Sequence, residues 1–295
     1  MKIVYVLLFK PLGSECAPRG LQDCNVSKID LEYPGLIVDK PRMSIEQNQY
    51  AVSKVPEITL IFWIIKIAAT TLGETAGDAV SMSMNLGYLI GTVIFSVIFL
   101  AAVTAQIKAK SFHPAIYWTT IVATTTVGTT LADFADRSLG IGYTGGASSL
   151  LVLVILSLVV WYRVMGTISV ASVKTAKAEA FYWTTIMFSQ TLGTALGDWT
   201  SDSAGLGYRG SALIFGGLLA VMAGLYFWTK ISKTLLFWAA FILTRPLGAV
   251  VGDFLDKPTD HGGLALSRYS ASGALLVVMV VCIVMFPQKA ATEAH

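Results

Sequence analysis

The sequence predicts an all-α integral membrane protein with eight transmembrane helices, arranged as four parallel two-helix repeats. Three observations predict it. The 295 residues are 55% hydrophobic and only 13% charged, with a mean hydropathy of +0.67, well above that of soluble globular domains. The aromatic pairs Phe62-Trp63, Tyr117-Trp118, Tyr182-Trp183 and Phe237-Trp238 each open an apolar run. An aspartate stands fifteen residues after each tryptophan, at Asp78, Asp133, Asp198 and Asp253.

Residues 1–55 differ from the rest. They mix Pro, Lys, Asp and Glu, and their one apolar run, IVYVLLF, is too short to span a bilayer. They are expected to be a disordered extension, with Met43 as the natural start. A transmembrane domain is expected over 56–288, with repeats at about 57–110, 112–170, 177–232 and 233–288, followed by a short tail, 289–295. Each repeat has room for two spans of about 20 residues, the length that a hydrocarbon core of about 30 Å demands. Odd helices are expected to begin near 57, 114, 179 and 235, and even helices to cover roughly 86–106, 141–163, 206–228 and 265–286.

Within each repeat the register is kept without gaps. Glycine or alanine recurs ten and fourteen residues after the tryptophan, as Gly73/Gly77, Gly128/Ala132, Gly193/Gly197 and Gly248/Gly252. Such small-xxx-small pairs let helices approach closely in lipid, and packing is their expected role. The first three repeats continue into Leu86-Gly87-Tyr88, Ile141-Gly142-Tyr143 and Leu206-Gly207-Tyr208, whereas the fourth has Gly262-Gly263. The only strong helix breaker in an odd helix is Pro246, after Thr244-Arg245. Trp63, Trp118, Trp183 and Trp238 are expected to anchor one membrane interface, where amphipathic rings favour the headgroup level.

Spacings of three and four from each tryptophan mark one helical face. In the first odd helix that face carries Trp63, Lys66, Thr70, Glu74 and Gly77, and Thr71 lies beside it. Its equivalents include Thr125, Gln190 and Arg245. A polar stripe inside lipid must face protein or water, because an ionised group at the bilayer centre costs about 2.5–3.5 kcal/mol or more. The odd helices are therefore expected to line the interior. Of the ten acids between residues 58 and 287, all but Glu179 lie toward the C-terminal ends of the odd helices or just past them, so a ring of carboxylates is expected at one mouth. Asp136 and Asp256 add a second carboxylate in repeats 2 and 4, where repeats 1 and 3 carry Ser81 and Ser201, which implies that alternate repeats are equivalent. Glu74 and Arg245 are each the sole charge at their repeat position, and an ion pair joining the first and last repeats is expected.

Lysine and arginine set the orientation. Lys54, Lys108, Lys110, Arg163, Lys174, Lys177, Lys230, Lys233 and Lys289 fall on one side, against Arg137, Arg209, Lys257 and Arg268 on the other, which predicts that both termini are cytoplasmic. All four repeats then share one orientation. Over about residues 52–287 the chain resembles a family of bacterial membrane proteins made of four tandem two-helix repeats, each with a characteristic tryptophan and without assigned function. KVPEITLIFWIIKIAATTLGETAGD is similar to that family's typical opening. The resemblance implies the same fold and a bacterial inner-membrane location, and it brings no catalytic residues.

No nucleophile motif, HExxH or Cys/His constellation is present, and Cys16, Cys24 and Cys282 form no metal-ligand spacing. No enzyme activity, cofactor or nucleic-acid binding is therefore expected. The leading expectation is a transporter or channel for a small cation, a divalent metal ion being well suited to carboxylate and hydroxyl ligands. Its candidate pathway residues are Lys66, Thr70, Thr71, Glu74, Asp78, Thr125, Asp133, Asp136, Gln190, Asp198, Arg245, Asp253 and Asp256. The alternatives are a carrier of small organic anions using Lys66 and Arg245, and a structural membrane protein. The expected partners are the lipid bilayer and a small ion or solute.

Overall fold

A computed structural model describes residues 53–291. The expectations of a disordered segment over 1–52 and of a start at Met43 lie outside the described residues. Residues 53–55, assigned above to the extension, instead belong to the folded domain. Ser53 Oγ donates to Val170 O at 2.7 Å, and Pro56 forms an antiparallel bridge with Ala290, which brings the two ends of the domain together.

Among the described residues, eight long helices run in chain order: α1 Leu60–Asp78, α2 Gly87–Lys108, α3 Pro114–Asp133, α4 Gly142–Met165, α5 Ala176–Asp198, α6 Gly207–Trp228, α7 Lys233–Asp256 and α8 Arg268–Met285. Their starts have local causes. Thr59, Thr175 and Ser232 cap α1, α5 and α7, their hydroxyls accepting from Phe62, Ala178 and Leu235 N–H, while Pro114 opens α3, where a missing donor is harmless. A π-helical turn extends each of the first three odd helices, over Ala79–Ser83, Phe134–Ser138 and Trp199–Ser203. The chain then reverses through left-handed backbone at Asn85 and Gly87, Gly140 and Gly142, and Gly205 and Gly207, which explains the glycine of each Leu/Ile-Gly-Tyr motif. α7 runs unbroken through Pro246, and none of the glycine pairs interrupts its helix, so the packing role of these residues holds and no helix is unwound there.

α1, α3, α5 and α7 form an inner ring in which each packs on the next, and α7 closes back onto α1. The outer helices are handed forward. α2 packs mainly on α3, α4 on α5, α6 on α7, and α8, last in the chain, on α1. Six of the eight are long and apolar enough to cross a membrane. The other two, α3 and α5, are long enough but fall short in apolarity because of their threonines, serine and glutamine, and both lie in the inner ring. Those threonines burden the helix little, because hydroxyls such as those of Thr120, Thr126 and Thr191 bond to carbonyls one turn back. Outer helices present leucine, isoleucine and valine outward, with Leu89, Leu156, Leu213 and Val277 all about half exposed or more.

The repeat register explains the ring. At offset ten, Gly73 faces Thr125, Gly128 faces Gln190, Gly193 faces Arg245, and Gly248 faces Thr70, so each glycine takes the offset-seven side chain of the next inner helix. At offset fourteen, Gly77 meets Thr129, Gly197 meets Ala249, and Gly252 meets Glu74 in the same sense. A Cβ at Gly73, Gly193 or Gly248 would overlap the facing side chain, so the ring's close approach depends on the absent side chain.

Candidate functional site

The axis of the inner ring is layered. At the tryptophan end, the aromatic residue preceding each tryptophan packs on the tryptophan of the next repeat: Phe62 on Trp118 at 5.5 Å between ring centres, Tyr117 on Trp183 at 5.7 Å, Tyr182 on Trp238 at 6.1 Å, and Phe237 on Trp63 at 5.9 Å. The Tyr117 and Tyr182 hydroxyls hydrogen-bond at 2.7 Å. Trp118, Trp183 and Trp238 are at most 2% exposed, and only Trp63 reaches the surface in part. The expectation of four interface anchors is thus corrected. Aromatic area on four neighbouring helices is buried more completely against itself than against headgroups, so the tryptophans form an internal plug.

The charged layer comes next. Arg245 is fully buried, and its Nη2 donates to Glu74 Oε2 at 3.0 Å, Thr129 Oγ1 at 2.6 Å and Thr194 Oγ1 at 2.5 Å. One nitrogen therefore ties α7 to α1, α3 and α5, and the expected Glu74–Arg245 pair is formed. Ala249, one turn along α7, is the small residue of that layer. Thr70 and Thr125 donate to backbone carbonyls of the preceding inner helix, Thr244 O at 3.2 Å and Ala69 O at 3.3 Å. Thr71 turns back to Ile67 O of its own helix at 2.9 Å and does not join the axial layer. Lys66 is fully buried with its Nζ 4.1 Å from the centre of the Phe241 ring, and the Gln190 amide is likewise buried.

At the other end stand the repeated aspartates, and each adjacent pair on one side of the ring shares a tethered cation. Arg137 lies 3.0 Å from Asp133 and 3.3 Å from Asp198. Lys257 lies 3.1 Å from Asp253 and 2.5 Å from Asp78. Both bases occupy the same repeat position, in repeats 2 and 4, so the expected equivalence of alternate repeats extends from carboxylates to their counter-charges. Lys257 is one residue beyond α7. Burial alone would lower its pKa, but the carboxylates of Asp253, Asp78 and Asp256 outweigh that and hold it above the ordinary lysine value. Arg268 completes this side, 3.1 Å from Asp256 and 3.8 Å from Asp78. Carboxylate oxygens of Asp78, Asp253 and Asp256 all lie within 4.8 Å of one another, a spacing that a divalent cation can bridge. Asp136, the counterpart of Asp256, has no hydrogen-bond partner among the described residues and abuts Gly146 of α4.

Sequence reasoning missed Thr129 and Thr194 as partners of Arg245, and it used Arg137 and Lys257 only to set the orientation, not as bridges between repeats. The i,i+4 spacing from Asp133 and Asp253 carried the local half of that signal. The second half needed the neighbour order of the helices.

A family model described as a repeat of unknown function, DUF347, matches four tandem segments, residues 61–112, 116–167, 181–232 and 236–286. No curated protein and no solved structure gives a match.

Proposed function

The chain belongs to the DUF347 repeat family, and from its geometry we propose that it is a transporter for a small cation, with a divalent metal ion as the class best suited to its ligands. One observation carries the reading: Lys257 Nζ sits between Asp78 and Asp253, where a cation taken up by those carboxylates would sit. Arg137 does the same between Asp133 and Asp198. An incoming ion competes with a tethered one, binds when the side chain swings away, and is expelled when it returns. Exchange of this kind avoids leaving bare carboxylates in a low-dielectric site, where an unpaired charge is costly. In this reading the aspartate end faces the outside of a bacterial inner membrane and the aromatic plug closes the cytoplasmic side, in keeping with the lysine and arginine bias of the loops.

Binding of radioactive manganese to the detergent-purified protein tests the reading. Saturable binding is expected, displaced by magnesium and lost in Asp253→Asn. Binding that is undiminished in that variant, or absent altogether, refutes it.

A further inference from the structure

Between the aromatic plug and the Glu74–Arg245 pair, the inner ring carries more basic than acidic side chains. Lys66 and Arg245 face a single acid, Glu74, and all three are buried. Arg245 uses Nη2 for its hydrogen bonds, while its Nε and Nη1 have no hydrogen-bond partner among the described residues. Lys66 Nζ and both polar atoms of the Gln190 amide are also without hydrogen-bond partners, although Lys66 and Gln190 are each fully buried. Polar atoms of this kind are rarely left unsatisfied in a packed interior.

These groups belong to one place. Phe241, whose ring lies under Lys66 Nζ, is one turn before Arg245 on α7. Thr70, one turn after Lys66 on α1, bonds to the carbonyl of Thr244, so α1 and α7 are in register there. Arg245 fits against Gly193 of α5, one turn after Gln190. Ile121 and Ile186, the equivalents of Lys66 on α3 and α5, are fully buried and close the layer with apolar surface.

We propose that Lys66 Nζ, Arg245 Nη1 and Gln190 Nε2 bind a small monovalent anion of halide size. Glu74 already balances Arg245, and an anion seated beside the Lys66 amine would be accompanied by one proton on it, so a single negative charge is the valence that the site can balance. Donors from an ammonium, a guanidinium and an amide suit a spherical anion. Buried phenyl and isoleucine surface around them leaves no provision for a hydrated or large one. This site is separate from the aspartate end, and it stands whether or not a cation is transported.

The full-length protein in detergent is unfolded thermally in sodium gluconate and in sodium chloride or bromide at matched ionic strength. A saturable rise in Tm of about 5 °C with halide is expected, as for any ligand that binds only the folded state. Lys66→Met, of similar length and uncharged, should abolish the halide response while remaining folded in gluconate. An equal Tm in all three salts would overturn the site and indicate that Lys66 is an uncharged amine. A halide response that survives in Lys66→Met would also overturn it. Should that variant not fold, bromide anomalous diffraction from wild-type crystals decides. A peak beside Lys66 Nζ supports the site, and a map without one overturns it.

Discussion

Arg245 Nη2 and Glu74 Oε2 lie 3.0 Å apart, 171 residues apart in sequence, and join the last inner helix to the first inside the bundle. Removing one partner leaves a buried charge, which costs about 3–5 kcal/mol, whereas removing both can be nearly neutral. Glu74→Gln and Arg245→Gln should therefore each lower Tm in detergent by more than the double variant does. Additive losses in that cycle would show that the pair contributes nothing as a unit.

Close approach at the offset-ten glycines gives a second expectation. Gly193→Ala would drive a Cβ into Arg245 and should cost about 1–3 kcal/mol by overpacking. Gly217→Ala, in α6 where nothing lies within 4 Å of the new Cβ, should instead gain about 0.5–1 kcal/mol from helix propensity. Thermal unfolding of the two variants checks the opposite signs, and equal effects would contradict the packed ring.

Because α8 packs on α1 as α2 packs on α3, the four repeats close into a circle whose ends meet at the Pro56–Ala290 bridge. A circular permutant that joins the ends by a short flexible linker and opens between α2 and α3, near Lys110, should fold and keep the wild-type circular dichroism spectrum. A permutant opened within α3 should not. Failure of the first to accumulate in membranes would argue that repeat order matters beyond neighbour contacts.

The tethered-cation arrangement predicts the effect of deleting the tether. Lys257→Gln leaves Asp78 and Asp253 without their shared ammonium and should lower Tm by several degrees in metal-free buffer. Millimolar magnesium or manganese should restore most of that loss in the variant and change the wild type little. A variant no more responsive to divalent cations than wild type would mean that the carboxylates do not accept a free ion.

Much of this was readable before the structure, and what was not has a physical cause. The Trp-to-Asp register predicted eight helices, the inner position of the odd ones and the Glu74–Arg245 pair, because each depends on spacing along a helix or on matching depth between parallel repeats. The burial of Trp118 and Trp238 was not readable. Whether an aromatic residue meets headgroups or a neighbouring ring depends on which helix stands next to it, and the forward hand-off of outer helices is a property of the assembled ring. For the same reason the second partners of Arg137 and Lys257, Asp198 and Asp78, were invisible, while their own-helix partners, Asp133 and Asp253, were within the reach of i,i+4 spacing. Thr71 illustrates the opposite case, a polar residue assigned to the axis whose hydroxyl its own backbone satisfies.

The most direct measurement is divalent-cation flux into proteoliposomes containing wild type, Asp253→Asn or Lys257→Gln, followed with a metal-sensitive dye. The account predicts saturable uptake by wild type, loss of uptake in Asp253→Asn with the fold retained, and slowed turnover with tighter apparent binding in Lys257→Gln, because the tethered ammonium no longer expels the ion. Flux equal to that of empty liposomes across a panel of monovalent and divalent cations, or undiminished flux in Asp253→Asn, would contradict it.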